Sequence, residues 1–566
     1  MRPNRTPPAT LDAGFFCARR RRNPTAARCI GRLALIPAVV AATWLAPMRG
    51  VAADFAGSTG LAAGRGVTSH ESRAASPRGA GRAPDPASRV LDADDARYLL
   101  TRTGYAPDAR ELAPFVGLTR AQAVDRLLSQ TRRTAVTMPP EWVNDPPLYG
   151  APVKNMADEQ RRALNERRNR MAASLAGWWA QEMATTPSPL TERMTLFWHN
   201  HFVSSDDKVR EPVALYRQNV LLRANALGNF GTLLHAVSKD PAMLVYLDGA
   251  GSRKGRPNEN FAREVMELFT LGEGHFSEQD VREAARAYTG WSIDRPTMTY
   301  VWRANLHDTG VKTVLGHTGD FDGDQVLDIL LARPETAALV TAKLWREFVS
   351  PTPEPVQAAK VAGVFRASGY DVRVALRALF LTPAFWDARN RGALVKSPSE
   401  FVTDAVREFD IGYDDPQMLA QQMRVLGQDL FRPPNVKGWP GGDTWIDSTT
   451  LLARKQFVER MFRATERANA GGPATMGPAM STRAGVQGSA VRAPRTMPGT
   501  VAGVRFDLAR WLQPYALGPV DVPDAASREA LQRAVLPLAP AVAHTSGDSS
   551  AAYLQALLMD PAYQLK

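Results

Sequence analysis

The sequence predicts a mainly α-helical protein, a multi-helix globular domain with one small β-hairpin, flanked by disordered linkers. Three observations lead there. Most segments between 91 and 466 repeat apolar residues three and four apart, the spacing that lines one helix face. Several of them open on a helix-starting signal, such as Ser188-Pro189 or Ser277-Glu278-Gln279-Asp280. Only one region, near 299–315, is rich in β-formers around a turn.

In chain order, residues 1–53 read as a secretory signal. An arginine-rich start ends at Arg32, and an apolar stretch from Leu33 to Ala46 follows. That stretch is too short to anchor stably in a bilayer, so no membrane span is expected after cleavage at Val51-Ala52-Ala53. The Arg19–Arg22 run leaves general and twin-arginine export both open. Nine arginines against one acid, Asp12, place eight of the twelve net positive charges in this segment. The four left elsewhere give no footprint for a polyanion, and no nucleic-acid partner is expected. Both cysteines, Cys17 and Cys29, also lie there. The remainder then has no disulfide, no cysteine–zinc site and no thiol nucleophile, which suits a periplasmic or secreted protein.

Residues 54–90 are rich in Gly, Ala, Ser and Arg and read as a disordered tether. Helices are expected over Asp92–Thr101, Leu118–Thr131 and Ala157–Ala184, with others starting at Pro189 and Glu278. The β-rich runs Thr299–His307 and Val311–Leu315 are expected to pair through a tip at Asp308-Thr309-Gly310. The main domain runs over 91–466. A low-complexity insert follows at 467–500, then a C-terminal helical segment, 501–566, expected to dock on the main domain because it is too small to stand alone. The ending Leu557-Leu558-Met559-Asp560-Pro561-Ala562-Tyr563 echoes Leu379-Phe380-Leu381-Thr382-Pro383-Ala384-Phe385, each a helix stopped before Pro and pinned by an aromatic ring.

Four constellations carry polar chemistry. In Phe197-Trp198-His199-Asn200-His201-Phe202, the His-x-His spacing suits a divalent metal if the segment is extended. On a helix the two rings point about 200° apart and the alternative is a core role. In Pro257–Leu268, Phe261 and Val265 belong to an apolar stripe, while Glu259, Arg263 and Glu267 form a charge ladder. Glu264 borders the stripe, where burial raises a carboxyl toward acid–base use. The hairpin tip offers His307, Asp308 and Lys312, and Asp320-Phe321-Asp322-Gly323-Asp324 reads as a turn into a helix. The loop Pro433–Trp445 holds Asn435, Lys437, Trp439 and Trp445, either a sugar-stacking platform or anchors that clamp the loop.

Two functions stay open. The first is a hydrolase-like envelope enzyme, acid–base or metal-assisted, acting on a glycan or other polar substrate. Its catalytic groups are His199, His201, Glu259, Glu264, His307 and Asp308, with His199 and His201 as metal ligands. Asn260, Arg263, Lys312, Asn435, Lys437, Trp439 and Trp445 then bind substrate. The second is a non-catalytic envelope scaffold or partner protein in which the same residues form a buried polar network. Serine-hydrolase elbow, nucleotide-phosphate loop and dinucleotide fingerprint are all missing from the sequence.

Taken together, FWHNHF at 197–202, PNENFAREVMELFTLG at 257–272, HDTGVKTVLG at 307–316 and PPNVKGWPGGDTWI at 433–446 resemble a bacterial family, the domain of unknown function 1800. DARYLLTRTGYAPDARELAP at 95–114 and the ending LLMDPAYQ extend the resemblance. It implies a mostly helical, often exported protein with no agreed activity. It also implies a co-encoded, sulfatase-like exported protein as candidate partner.

Overall fold

Helices begin where a side chain can bond the first free backbone amides, because those donors have no partner inside the helix. Asp92 Oδ1 accepts from Asp95 N at 2.7 Å and opens Ala93–Thr103. Reciprocal boxes open Arg120–Ser129 (Thr119 with Gln122), Glu278–Ala287 (Ser277 with Asp280) and Gly323–Ala332 (Asp322 with Gln325). Ser188 differs from expectation. Its hydroxyl bonds Thr191 Oγ1 at 2.7 Å and Arg132 N at 3.2 Å, so Pro189 begins the next helix without a side-chain cap.

The computed structural model describes residues 86–148, 156–469, 504–544 and 547–566. The expected leader at 1–53, nearly all of the expected tether at 54–90 and nearly all of the insert at 467–500 lie outside the described residues. Those described belong to one unit, Gly81–Lys566. The described residues are 60% helical, with only small two-stranded sheets among them. Among the described residues, no helix is long and apolar enough to cross a membrane.

The core is organised around Pro189–His201, in which eleven of thirteen residues are buried. A helix buried on every side must have neighbours all round. Ala93–Thr103, Asp158–Thr185 and Pro212–Ala224 pack directly on it. Asp158–Thr185 in turn crosses Gln417–Val425 so closely that a Cβ on Gly177 would lie 2.9 Å from Gln417 Cγ. Residues of the C-terminal stretch bond to the segments that flank the Pro398–Glu408 helix. Lys396 N donates to Gln564 O and Lys566 N to Leu394 O, both at 2.8 Å, and Gly412 pairs with Arg505. Both echoed endings bury their aromatic ring, Phe385 and Tyr563.

The expected hairpin is wrong in its pairing. β1 (Trp291–Asp294) pairs antiparallel with β2 (Thr299–Trp302), and β3 (Lys312–Val314) pairs with β4 (His317–Gly319). Two separate ribbons replace one. The physical reason lies in the turns. Met298 takes a left-handed conformation before β2, and Leu315-Gly316 takes two, with φ of 50° and 83°, reversing the chain directly after β3. The Asp308–Gly310 stretch is therefore a connection between ribbons.

Candidate functional site

His199 and Asn200, at the end of the Pro189–His201 helix, hold the Pro433–Trp445 loop. Asn200 Oδ1 accepts from Trp439 N at 2.7 Å and its amide donates to Trp439 O at 3.2 Å. The approach is so close that a Cβ on Gly438, whose φ is +82°, would lie 2.2 Å from Asn200 Oδ1. Only glycine fits both the space and the conformation. The His199 ring stands 5.4 Å from Trp179, 5.4 Å from Phe431 and 5.7 Å from Trp439. Burial in this aromatic box pushes its pKa down to about 4, and its Nε2 is buried with no hydrogen-bond partner. Trp439 and Trp445 are themselves buried, so their rings face protein.

The helix persists through His201, which turns the second ring into different surroundings. Its Nδ1 lies 3.0 Å from Lys343 Nζ and its Nε2 lies 3.2 Å from Phe269 O. An ammonium can only donate, so Nδ1 accepts and the Nε2 proton goes to the carbonyl. Burial, and then the Lys343 charge, hold this imidazole well below its usual pKa. Lys343, half-buried, is pushed down to about 8 by desolvation and also donates to Leu268 O at 2.9 Å. The Leu268 and Phe269 carbonyls belong to a single stretch of π-helix, Val265–Thr270, where Thr270 Oγ1 bonds Val265 O. Such insertions recur at functional positions and bend a helix locally.

Asn258 opens Glu259–Glu264 by accepting from Asn260 N at 2.8 Å. Asn260 donates to Leu247 O at 3.3 Å. Arg263 makes two bonds of 2.7 Å to Glu278 and lies 4.0 Å from exposed Glu259. Glu264 is half-buried, and its carboxyl is raised by burial and by the charge of Glu267, against the lowering effect of Lys437 and Arg263. Lys437 Nζ reaches within 3.8 Å of Glu267 and 3.4 Å of Glu273, while its backbone amide donates to Asn435 Oδ1 at 2.8 Å. The structure thus brings three of the four sequence constellations to one junction.

The fourth stands apart. His307 Nδ1 is 2.8 Å from Thr289 O and its ring lies 4.9 Å from Trp302. Asp308 bonds Arg286 at 2.9 Å and Gly310 N at 2.9 Å, and the Arg286 bond leads in holding its carboxyl down to about 2. Lys312 is buried and donates to Gly310 O at 2.9 Å and to Asp320 at 3.0 Å. Among the described residues, no hydrogen bond, ion pair or ring contact joins His307, Asp308 or Lys312 to His199, His201 or Glu264. Among the same residues, no group of three or more His, Cys, Asp or Glu is placed to hold a metal ion.

Sequence reasoning missed the charges buried inside the core. Arg193 pairs with Glu347 and Glu400, and Glu400 also takes a bond from Lys566. Glu192 accepts two bonds from Arg223, at 2.6 and 2.8 Å, and one from Trp179 Nε1 at 2.9 Å. A signal was present. Leu190, Met194, Leu196 and Phe197 surround Glu192 and Arg193 at helical spacing, which leaves those two charges no solvent-facing side.

The chain belongs to a family described as protein of unknown function (DUF1800), which matches residues 98–565. No curated protein and no solved structure matches it.

Proposed function

We propose that the chain is a non-catalytic protein of the cell envelope, a scaffold or partner protein whose polar motifs serve as a buried network that fixes helix packing. The observation that carries this reading is His201. Both its ring nitrogens are engaged inside the protein, one by Lys343 and one by the Phe269 carbonyl. A ring so enclosed specifies a helix arrangement and presents no free nitrogen to a substrate. Asn200, Asp308 and Lys312 are likewise engaged within the protein, on Trp439, Arg286 and Gly310. Export to the periplasm or beyond belongs to this proposal, supported by the arginine-rich start, the apolar stretch after it and the lack of cysteine past position 29. So does a co-encoded sulfatase-like partner, testable by co-purification. The central test is a set of thermal melts. His199→Ala and His201→Ala are expected to lower Tm by several degrees each. Near-native melting of both variants would overturn the reading.

One group favours a second reading, a hydrolase-like acid–base catalyst on a glycan or other polar substrate. Glu264 is half-buried with a raised carboxyl beside Glu267 and Lys437, at the edge of the π-helical turn. A proton held there can be delivered to a leaving group. Loss of a glycan-cleaving activity in Glu264→Gln, with the fold intact, would establish it.

A further inference from the structure

A cavity of about 610 Å³ lies on the far side of Phe431 from the His199 ring, sharing that one residue with the aromatic box. Small-molecule sites span about 300–1,000 Å³. The cavity arises at the crossing of Asp158–Thr185 with Gln417–Val425. Gly177 brings the two helices into contact, but the next residues along the seam are alanines, Ala176 on one side and Ala420 on the other, too small to fill the gap. One side of its wall is apolar, formed by Leu175, Leu215, Leu419, Leu430 and Phe431.

The charges around it are unequal in their pairing. Asp206 is bonded by Arg432 at 2.7 Å, Asp429 lies 3.4 Å from Arg424, and Asp415 accepts from Gln417 N at 2.9 Å. Asp206 and Asp429 are therefore in ion pairs, as are Arg432 and Arg424, while Asp415 is held by a backbone amide alone. The third guanidinium on the lining, Arg460, donates to the neutral Gln422 side chain at 2.8 Å and forms no ion pair among the described residues. Burial, together with neighbouring Arg463, disfavours its charge, against the favourable charge of Glu459. A half-buried guanidinium beside an apolar wall is a receptor for a carboxylate, whose two oxygens match its fork of donors.

We infer that this cavity binds an amphiphilic carboxylate, its acyl chain along the Leu175–Leu419 wall and its head on Arg460. This goes beyond the scaffold reading and does not depend on it. The test is calorimetric titration of the full chain with decanoate and, separately, with decan-1-ol. Expected are saturable decanoate binding and a loss of about tenfold or more in affinity in Arg460→Gln, the loss of one charge-assisted pair. Decan-1-ol binding is expected to be the same in Arg460→Gln and wild type. Ala176→Trp, which fills the seam, is expected to abolish binding of both. The inference is overturned by lack of saturable decanoate binding. It is equally overturned if Arg460→Gln changes decanoate affinity less than threefold, or if Ala176→Trp leaves it unchanged.

Discussion

Lys343 Nζ lies 3.0 Å from Nδ1 of His201, a hydrogen bond between a half-buried lysine and a buried histidine 142 positions apart in the chain. Neither group is comfortable alone there, since burial disfavours the charge on both. Removing His201 leaves Lys343 with only the Leu268 carbonyl as acceptor and the Phe269 carbonyl without its donor, and an unmade buried hydrogen bond costs more than replacing both partners. His201→Phe is expected to destabilise the protein by about 1–3 kcal/mol. The double variant His201→Phe/Lys343→Met should recover part of that loss. Urea unfolding of the two single variants and the double variant checks this, and simple additivity would refute the coupling.

His199 predicts an acid sensitivity. Its folded pKa of about 4 lies below the ordinary 6.5. Between those values the unfolded chain binds a proton that the folded chain excludes, so stability falls as pH drops through that window. The full loss from this ring is about 3 kcal/mol. His199→Gln, which has no titrating group, should flatten that part of the curve of unfolding free energy against pH. An unchanged slope between pH 6.5 and 4 would count against a neutral buried ring.

The sequence made local chemistry legible and long-range chemistry not. Ser277 and Asp280 lie three residues apart, so their reciprocal cap is readable in the sequence, as are Asp322 and Gln325. The helical cast of the protein follows from such signals added to apolar periodicity. The ribbon pairing was hidden because it turns on left-handed backbone at Met298 and Leu315, residues that carry no turn signature. At the candidate site, the His-x-His motif was legible but its surroundings were not. No periodicity points from His201 to Lys343, nor from Asn200 to Trp439 across 239 positions.

Gly438 offers a third check. Gly438→Ala adds a methyl that meets Asn200 Oδ1 and sits in a left-handed conformation. The expected cost is at least about 2 kcal/mol, combining strain with loss of the Asn200–Trp439 bonds. Undocking of the loop exposes Trp439, so a red shift in tryptophan emission should accompany the lower Tm. A normal spectrum and melt would show that the loop tolerates another path.

Glu264 separates the two proposed functions. Its raised carboxyl means that wild type loses some stability as pH rises through that group's folded pKa. Glu264→Gln cannot titrate and is expected to melt at or slightly above wild type at pH 7, by less than about 1 kcal/mol for a half-exposed group. The difference should vanish in acid. A marked fall in Tm at pH 7 would instead place Glu264 among the residues that hold the fold together.

The π-helical stretch at Val265–Thr270 amounts to one extra residue wound into an otherwise regular helix. Excising a single residue there would restore even winding, and each helical residue advances the face by about 100°. The Glu259–Glu264 half would then swing by that angle against the half that carries the Leu268 and Phe269 carbonyls. Relatives that differ by one residue in this segment would share the same letters on either side of it, yet aim Glu264 and the Lys343 acceptors in different relative directions. Sequence identity across the segment is therefore a poor measure of whether two members keep the same junction, and its length is the better one.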